Sequence, residues 1–364
     1  MYNAIYIPIT TWKTAARCDR HQKENAMSAN RYQVSLKWLL WLYLTIPLCL
    51  LIQLVDSLLL DQSLQQRLPT DPNQVFIYNL FFGTPHILAS SLILIGNREY
   101  SRFYQKNLLL ASAAIIAFLC LGALFLSYKL LFIIIATMSI VHVIKQQVGI
   151  GNMTCRLSGI SYQLWVWTGI TAGAVIFNGI FIRSLFTPPQ IQTMEQALWV
   201  LLIPFAVLTM IQHKNVRHKK GGIGFLWANF GLVAAPAYLY FQEYYFLAVL
   251  APRIIHDLTA FTVYTVHDQN RHSPAPQNRL FHFARQYQLP VVLITPVLAL
   301  ALAYFLQHHL DGIVSALASN LLQTSIHISL ALGLVSFCNL LHYYTETFTW
   351  GSGSPYRKHM SFKV

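Results

Sequence analysis

The sequence predicts an all-α fold: a polytopic integral membrane helical bundle of about ten transmembrane helices, with both termini in the cytoplasm. Three observations carry this reading. The 364 residues are 55% hydrophobic and only 10% charged, against about 25% charged in a soluble domain, and the mean hydropathy is +0.47. A soluble fold has too little polar surface to cover such a chain, whereas a bilayer accepts apolar surface directly. Apolar runs recur at about 35–59, 74–95, 107–126, 129–145, 160–182, 196–211, 223–241, 244–267, 289–307 and 315–347. Most approach the 20 or so residues needed to cross the hydrocarbon core. Finally, basic residues alternate from gap to gap in the way the positive-inside rule requires.

Strand edges cannot face lipid, so each run is read as a helix. The count is least constrained at 129–145 and 196–211, which are short, and at the few residues parting 223–241 from 244–267. With ten helices and an inside N-terminus, 21 of the 25 basic residues fall in cytoplasmic segments. Only Arg67, Lys129 and Arg183 fall outside, and Arg253 lies within a span. A miscounted helix would invert every later assignment and spoil the alternation.

Residues 1–33 form a polar cytoplasmic segment without the apolar core of a signal peptide. The transmembrane domain covers 34–350. A cytoplasmic tail, 351–364, follows the helix-stopping run Gly351-Ser352-Gly353-Ser354-Pro355. The net charge of +13 is explained by topology, so nucleic acid is excluded as a partner. Five separated cysteines make no disulfide framework, and there is no P-loop or Rossmann fingerprint. The inferred location is a bacterial inner membrane.

Ionisable groups inside spans are costly and mark function. His86 sits in Gly83-Thr84-Pro85-His86, where proline removes a backbone donor and invites a kink. His142 ends the fourth run, with Gln146 one turn on. The eighth run carries Arg253, His256, Asp257, Tyr264, His267 and Asp268. His256 and His267 share a helix face but lie about 16 Å apart, so they cannot bind one metal unless the helix breaks. Arg253 and Asp257, at i and i+4, suit an ion pair. The last run presents His342 and Glu346 on one face, beside Tyr343 and Tyr344.

The orientation places these groups at mid-depth or toward the cytoplasm. They form a candidate metal site with His86, His142, His256, His342 and Glu346 as ligands, and His267 completes a second metal position or shuttles protons. Imidazole and carboxylate donors with open positions favour non-haem iron; zinc, manganese and haem are the alternatives. Glu346 is a candidate ligand or proton acceptor, Asp257 a candidate ligand or orienting carboxylate, and Tyr264, Tyr343 and Tyr344 candidate substrate contacts or proton donors. The expected function is a membrane metalloenzyme, an oxygenase or desaturase-like oxidoreductase acting on a lipophilic molecule entering from the bilayer. A redox partner would dock on the basic cytoplasmic face. A metal-ion or proton transporter and a haem-binding redox or anchor protein are the rival readings. The HxxxH and HxxHH boxes of membrane fatty-acid desaturases do not occur. Single histidines spread over several helices look more like a carotenoid-cleaving membrane oxygenase, from which no residue assignment is carried over.

Overall fold

Hydrophobic length becomes helix length along the described chain. The structure, a computed structural model, describes residues 32–70, 78, 81–219, 221–322, 329–351 and 353–363, without side chains at 310–322, 329–332 and 334–335. His21, His327, Cys18, Lys220, the basic residues Lys13 to Arg31, the start of the 74–95 run and the middle of the 315–347 run lie outside the described residues. The first run becomes two helices, α1 (Leu36–Leu42) and α2 (Thr45–Leu59), followed by the short α3 (Ser63–Arg67). Then come α4 (Thr84–Gly96), α5 (Arg98–Phe103), α6 (Gln105–Phe125), α7 (Tyr128–Cys155), α8 (Ile160–Phe181) and α9 (Pro188–Val216). The chain continues through α10 (Gly222–Phe241), α11 (Tyr245–His272), α12 (Arg279–Gln286), α13 (Val291–Leu322) and α14 (Ser329–Thr349). Among the described residues, eight helices are long and apolar enough to cross a membrane, α1 and α2 counting together as one.

The short runs lengthen because hydropathy measures polarity, not hydrogen bonding. The run expected at 129–145 becomes the 28 residues of α7. Its extension carries Gln146 and Gln147, buried against each other and against Tyr43 of the turn after α1. Likewise α9 starts at Pro188, ahead of the expected 196, behind a capping box of Thr187 and Gln190. The break expected between 307 and 315 does not occur. α13 runs on to Leu322, because the polar residues there end an apolar run without ending a hydrogen-bonded ladder. The turn between α10 and α11 is real, with Glu243 at φ +61°.

α11 is the central helix, packed against α2, α4, α10 and α13. Its C-terminal end ties the two described chain ends together. Asn270 Oδ1 accepts from the Tyr32 backbone N–H (2.8 Å), and its amide donates to the carbonyls of Tyr32 (2.9 Å) and His359 (3.0 Å). Strands β1 (Val34–Ser35) and β2 (Phe362–Lys363) pair in parallel beside it. The segment after α14 therefore folds back on the bundle and buries Tyr356 and Met360.

At the other end of the bundle, the buried Asp56 carboxylate accepts from the N–H groups of Leu64 (2.8 Å) and Gln65 (2.9 Å) and from the Tyr244 hydroxyl (2.9 Å). It fastens α3 and the α10–α11 turn to α2. Asp56→Ala strands these donors and is expected to cost about 1–3 kcal/mol. Thermal denaturation in detergent should show the loss, and an unchanged melting temperature would refute the role.

Candidate metal centre

Four helices each deliver one histidine to a common buried point. α4 begins at a sharp backbone reversal, Gly83, with φ 90° and ψ −90°, a conformation that side chains with a Cβ scarcely adopt. Pro85 occupies the first turn, where its missing N–H costs nothing, so the proline starts a helix here and does not kink one. His86 follows in the same turn. His142 lies midway along α7 and not at its end, His256 lies in α11, and His342 in α14.

The imidazoles form a closed cycle. Ring centres are 4.9 Å apart for His86–His256, 5.1 Å for His256–His142, 5.0 Å for His142–His342 and 4.9 Å for His342–His86. Four centres on a cycle with edges of about 5 Å lie about 3.1–3.5 Å from a shared midpoint, depending on pucker. An imidazole bound at a metal–nitrogen distance of about 2.1 Å has its ring centre about 3.2 Å from the metal. The cycle therefore has the dimensions of imidazoles gathered round one ion. Potential ligand atoms of His86, His142 and His256 lie within 4.8 Å of one another, as do those of His142, His342 and Glu346. These are two overlapping buried groups, each capable of chelating a non-haem metal.

The state of the nitrogens supports the same conclusion. Both nitrogens of His86, His142 Nε2, His256 Nδ1 and both nitrogens of His342 are buried without a hydrogen-bond partner. Each such orphan costs about 1–3 kcal/mol in a bare protein. Partnerless nitrogens gathered in two overlapping groups are the arrangement expected of ligand atoms, and the residues fit a metal. They do not fit haem. A porphyrin iron takes at most two axial imidazoles, whereas four rings gather here round one point.

The surroundings orient the cycle. Asp257 Oδ1 lies 2.9 Å from His86 Nδ1, a charged contact at the outer edge of that ring. Its Oδ2 accepts the Gly83 N–H at 2.7 Å and lies 3.3 Å from Arg253 Nε. The ion pair with Arg253 and the orienting contact to His86 thus coexist. Glu346 sits at the edge, with Oε2 3.6 Å from His142 Nε2. The Tyr264 hydroxyl donates to its Oε1 (2.5 Å) and the Gln146 amide to its Oε2 (3.1 Å). Tyr343 stacks on His142 at 4.5 Å and donates to Ser139 (3.0 Å). Tyr344 is exposed and points away.

His267 is not in the cycle. α11 is unbroken between it and His256, so the separation of about 16 Å stands. Its Nδ1 donates to Asp268 (3.0 Å) and its Nε2 accepts from the Tyr100 hydroxyl (2.8 Å), which also receives Arg271 (3.1 Å). Tyr356 stacks on the His267 ring at 4.3 Å. Burial, with the Glu346 and Asp268 carboxylates nearby, holds the Tyr356 phenol well above its ordinary value. Beyond the residues expected from sequence, the structure adds Gln147, Tyr43 and Asn229. Tyr43 lies 3.1 Å from Gln147 Oε1 and 3.3 Å from Asn229 Oδ1. The signal available for them was an amide or phenol within an apolar run.

No family model, no curated protein and no solved structure matches this chain.

Proposed function

We propose that the chain is a membrane-embedded metalloenzyme, a non-haem iron oxygenase or desaturase-like oxidoreductase acting on a lipophilic substrate from the bilayer. In this reading the bundle crosses a bacterial inner membrane ten times. The eight long helices are joined by α4 and α14, and both termini face the cytoplasm. The contact between the two described chain ends supports an even number of crossings. The observation that carries the function is the buried imidazole cycle with its partnerless nitrogens.

His86, His142, His256 and His342 would hold the ion, and four neutral donors leave its charge intact. Iron so bound supplies the activation of dioxygen and the oxidising power. Asp257 Oδ1, 2.9 Å from His86 Nδ1, holds that edge of the ring by charge. Glu346 can take or return a proton at Oε2, beside His142, while Tyr264 and Gln146 hold it in place. Tyr343 packs the His142 ring and keeps water from that side. A reductant, where the reaction needs one, would dock on the basic cytoplasmic face.

Metal analysis of gently purified protein tests this reading. One iron per chain is expected, without a haem absorption band. A clearly substoichiometric metal content overturns it, and stoichiometric zinc or manganese would replace iron in the assignment.

A further inference from the structure

Arg253 enters the metal centre one turn before Asp257, and its bonding is incomplete. The guanidinium has five N–H donors in a rigid fork. Its Nε is 3.3 Å from Asp257 Oδ2 but makes no hydrogen bond, and no described residue accepts one from the terminal nitrogens. Asp257 cannot satisfy all five donors, since its two oxygens also serve the Gly83 N–H and face His86. The far end of Arg253 lies over Gly83, where an added Cβ would come within 1.8 Å of Nη2. The glycine thus makes the space that the guanidinium occupies. The side chain is 26% exposed, whereas that of Asp257 is 1% exposed, so the fork is reachable from outside the bundle while its root is sealed.

Charge points the same way. The imidazoles contribute nothing, a divalent ion contributes two positive charges and Arg253 one, against one negative charge each on Asp257 and Glu346. A net positive charge at membrane depth is costly without a counter-ion. The fork geometry of guanidinium matches a carboxylate best.

We propose that Arg253 anchors the carboxylate of a long-chain acid whose apolar tail lies along the lipid-facing side of the bundle. The substrate class is then an amphiphilic carboxylate, held by its head beside the imidazole cycle. This rests on the proposed metalloenzyme and narrows what it acts on. A small carboxylate from water shares the head-group chemistry, and tail length separates the two.

The test is saturable binding of radiolabelled oleate to the metal-loaded protein in zwitterionic nanodiscs, with empty nanodiscs subtracted. Unlabelled oleate should displace it. Oleyl alcohol should compete at least about tenfold more weakly, since a charge-assisted bond is lost, and acetate should not compete. Arg253→Gln should weaken oleate at least about tenfold with metal content retained. Arg253→Lys should fall between, keeping the charge but losing the fork. Absence of saturable binding to the wild type overturns the proposal, as does equal binding by Arg253→Gln, or acetate competing as well as oleate. Should Arg253→Gln fail to fold, Arg253→Lys and the competitor series on the wild type decide the question. Metal retained without oleate binding removes this inference alone, whereas metal-free wild type removes the reading beneath it.

Discussion

His342→Ala is expected to strip the metal from the protein. Both nitrogens of His342 are buried without a partner, and its ring contacts those of His86 and His142. Deleting it opens one quarter of the cycle, and no described neighbour can swing in as a neutral donor. Removing an outer-shell partner already costs about 10–100-fold in metal affinity, so losing a ligand should exceed that. The fold should survive, because the three remaining histidines gain no new unpaired group. Metal content by elemental analysis is the readout, with far-ultraviolet dichroism to confirm the helices. Glu346→Gln should retain the ion, since Glu346 stands at the edge and is held by Tyr264 and Gln146. His267→Ala should retain it too, because both its nitrogens are already engaged elsewhere. An His342→Ala protein with full metal content would eliminate the four-histidine centre.

Gly83→Ala should be nearly as damaging, although no ligand changes. The backbone at φ 90°, ψ −90° strains any residue with a Cβ by about 1–3 kcal/mol. The new methyl also invades the space of Arg253 Nη2. Relief requires the start of α4 to shift, and that start carries both the N–H bonded to Asp257 and His86 itself. The melting temperature and the metal affinity should fall together. Pro85→Ala, two residues on and free of positive φ, should move both much less. A Gly83→Ala protein with unchanged melting temperature and metal content would show that the reversal is not needed to place His86.

Those two substitutions mark the boundary between what was readable and what was not. His342 announces itself, because an imidazole within an apolar run has few uses other than function. Gly83-Thr84-Pro85-His86 reads as a kink within a span, since spacing cannot tell a bend from a new helix N-terminus. The decision needed Asp257, 174 positions away, whose carboxylate receives the freed N–H. His267 shows the converse. Its sequence neighbourhood duplicates that of His256, a histidine followed by aspartate, yet Tyr100 and Asp268 consume both its nitrogens.

By itself, the sequence determined the class of protein, the positions of nearly all the long helices and the short list of polar residues at membrane depth. Hydrophobic length and charge placement are one-dimensional properties, so they survive without a fold. Only the tertiary structure decided which four histidines meet, that Glu346 stands at their edge, and that no described residue accepts from the Arg253 fork. Those outcomes depend on the rotation of each helix about its axis and on its depth relative to its neighbours. Both are set by the packing of α4 and α7 against α11 and of α14 against α4 and α7, contacts that join residues far apart in the chain and leave no local trace in it.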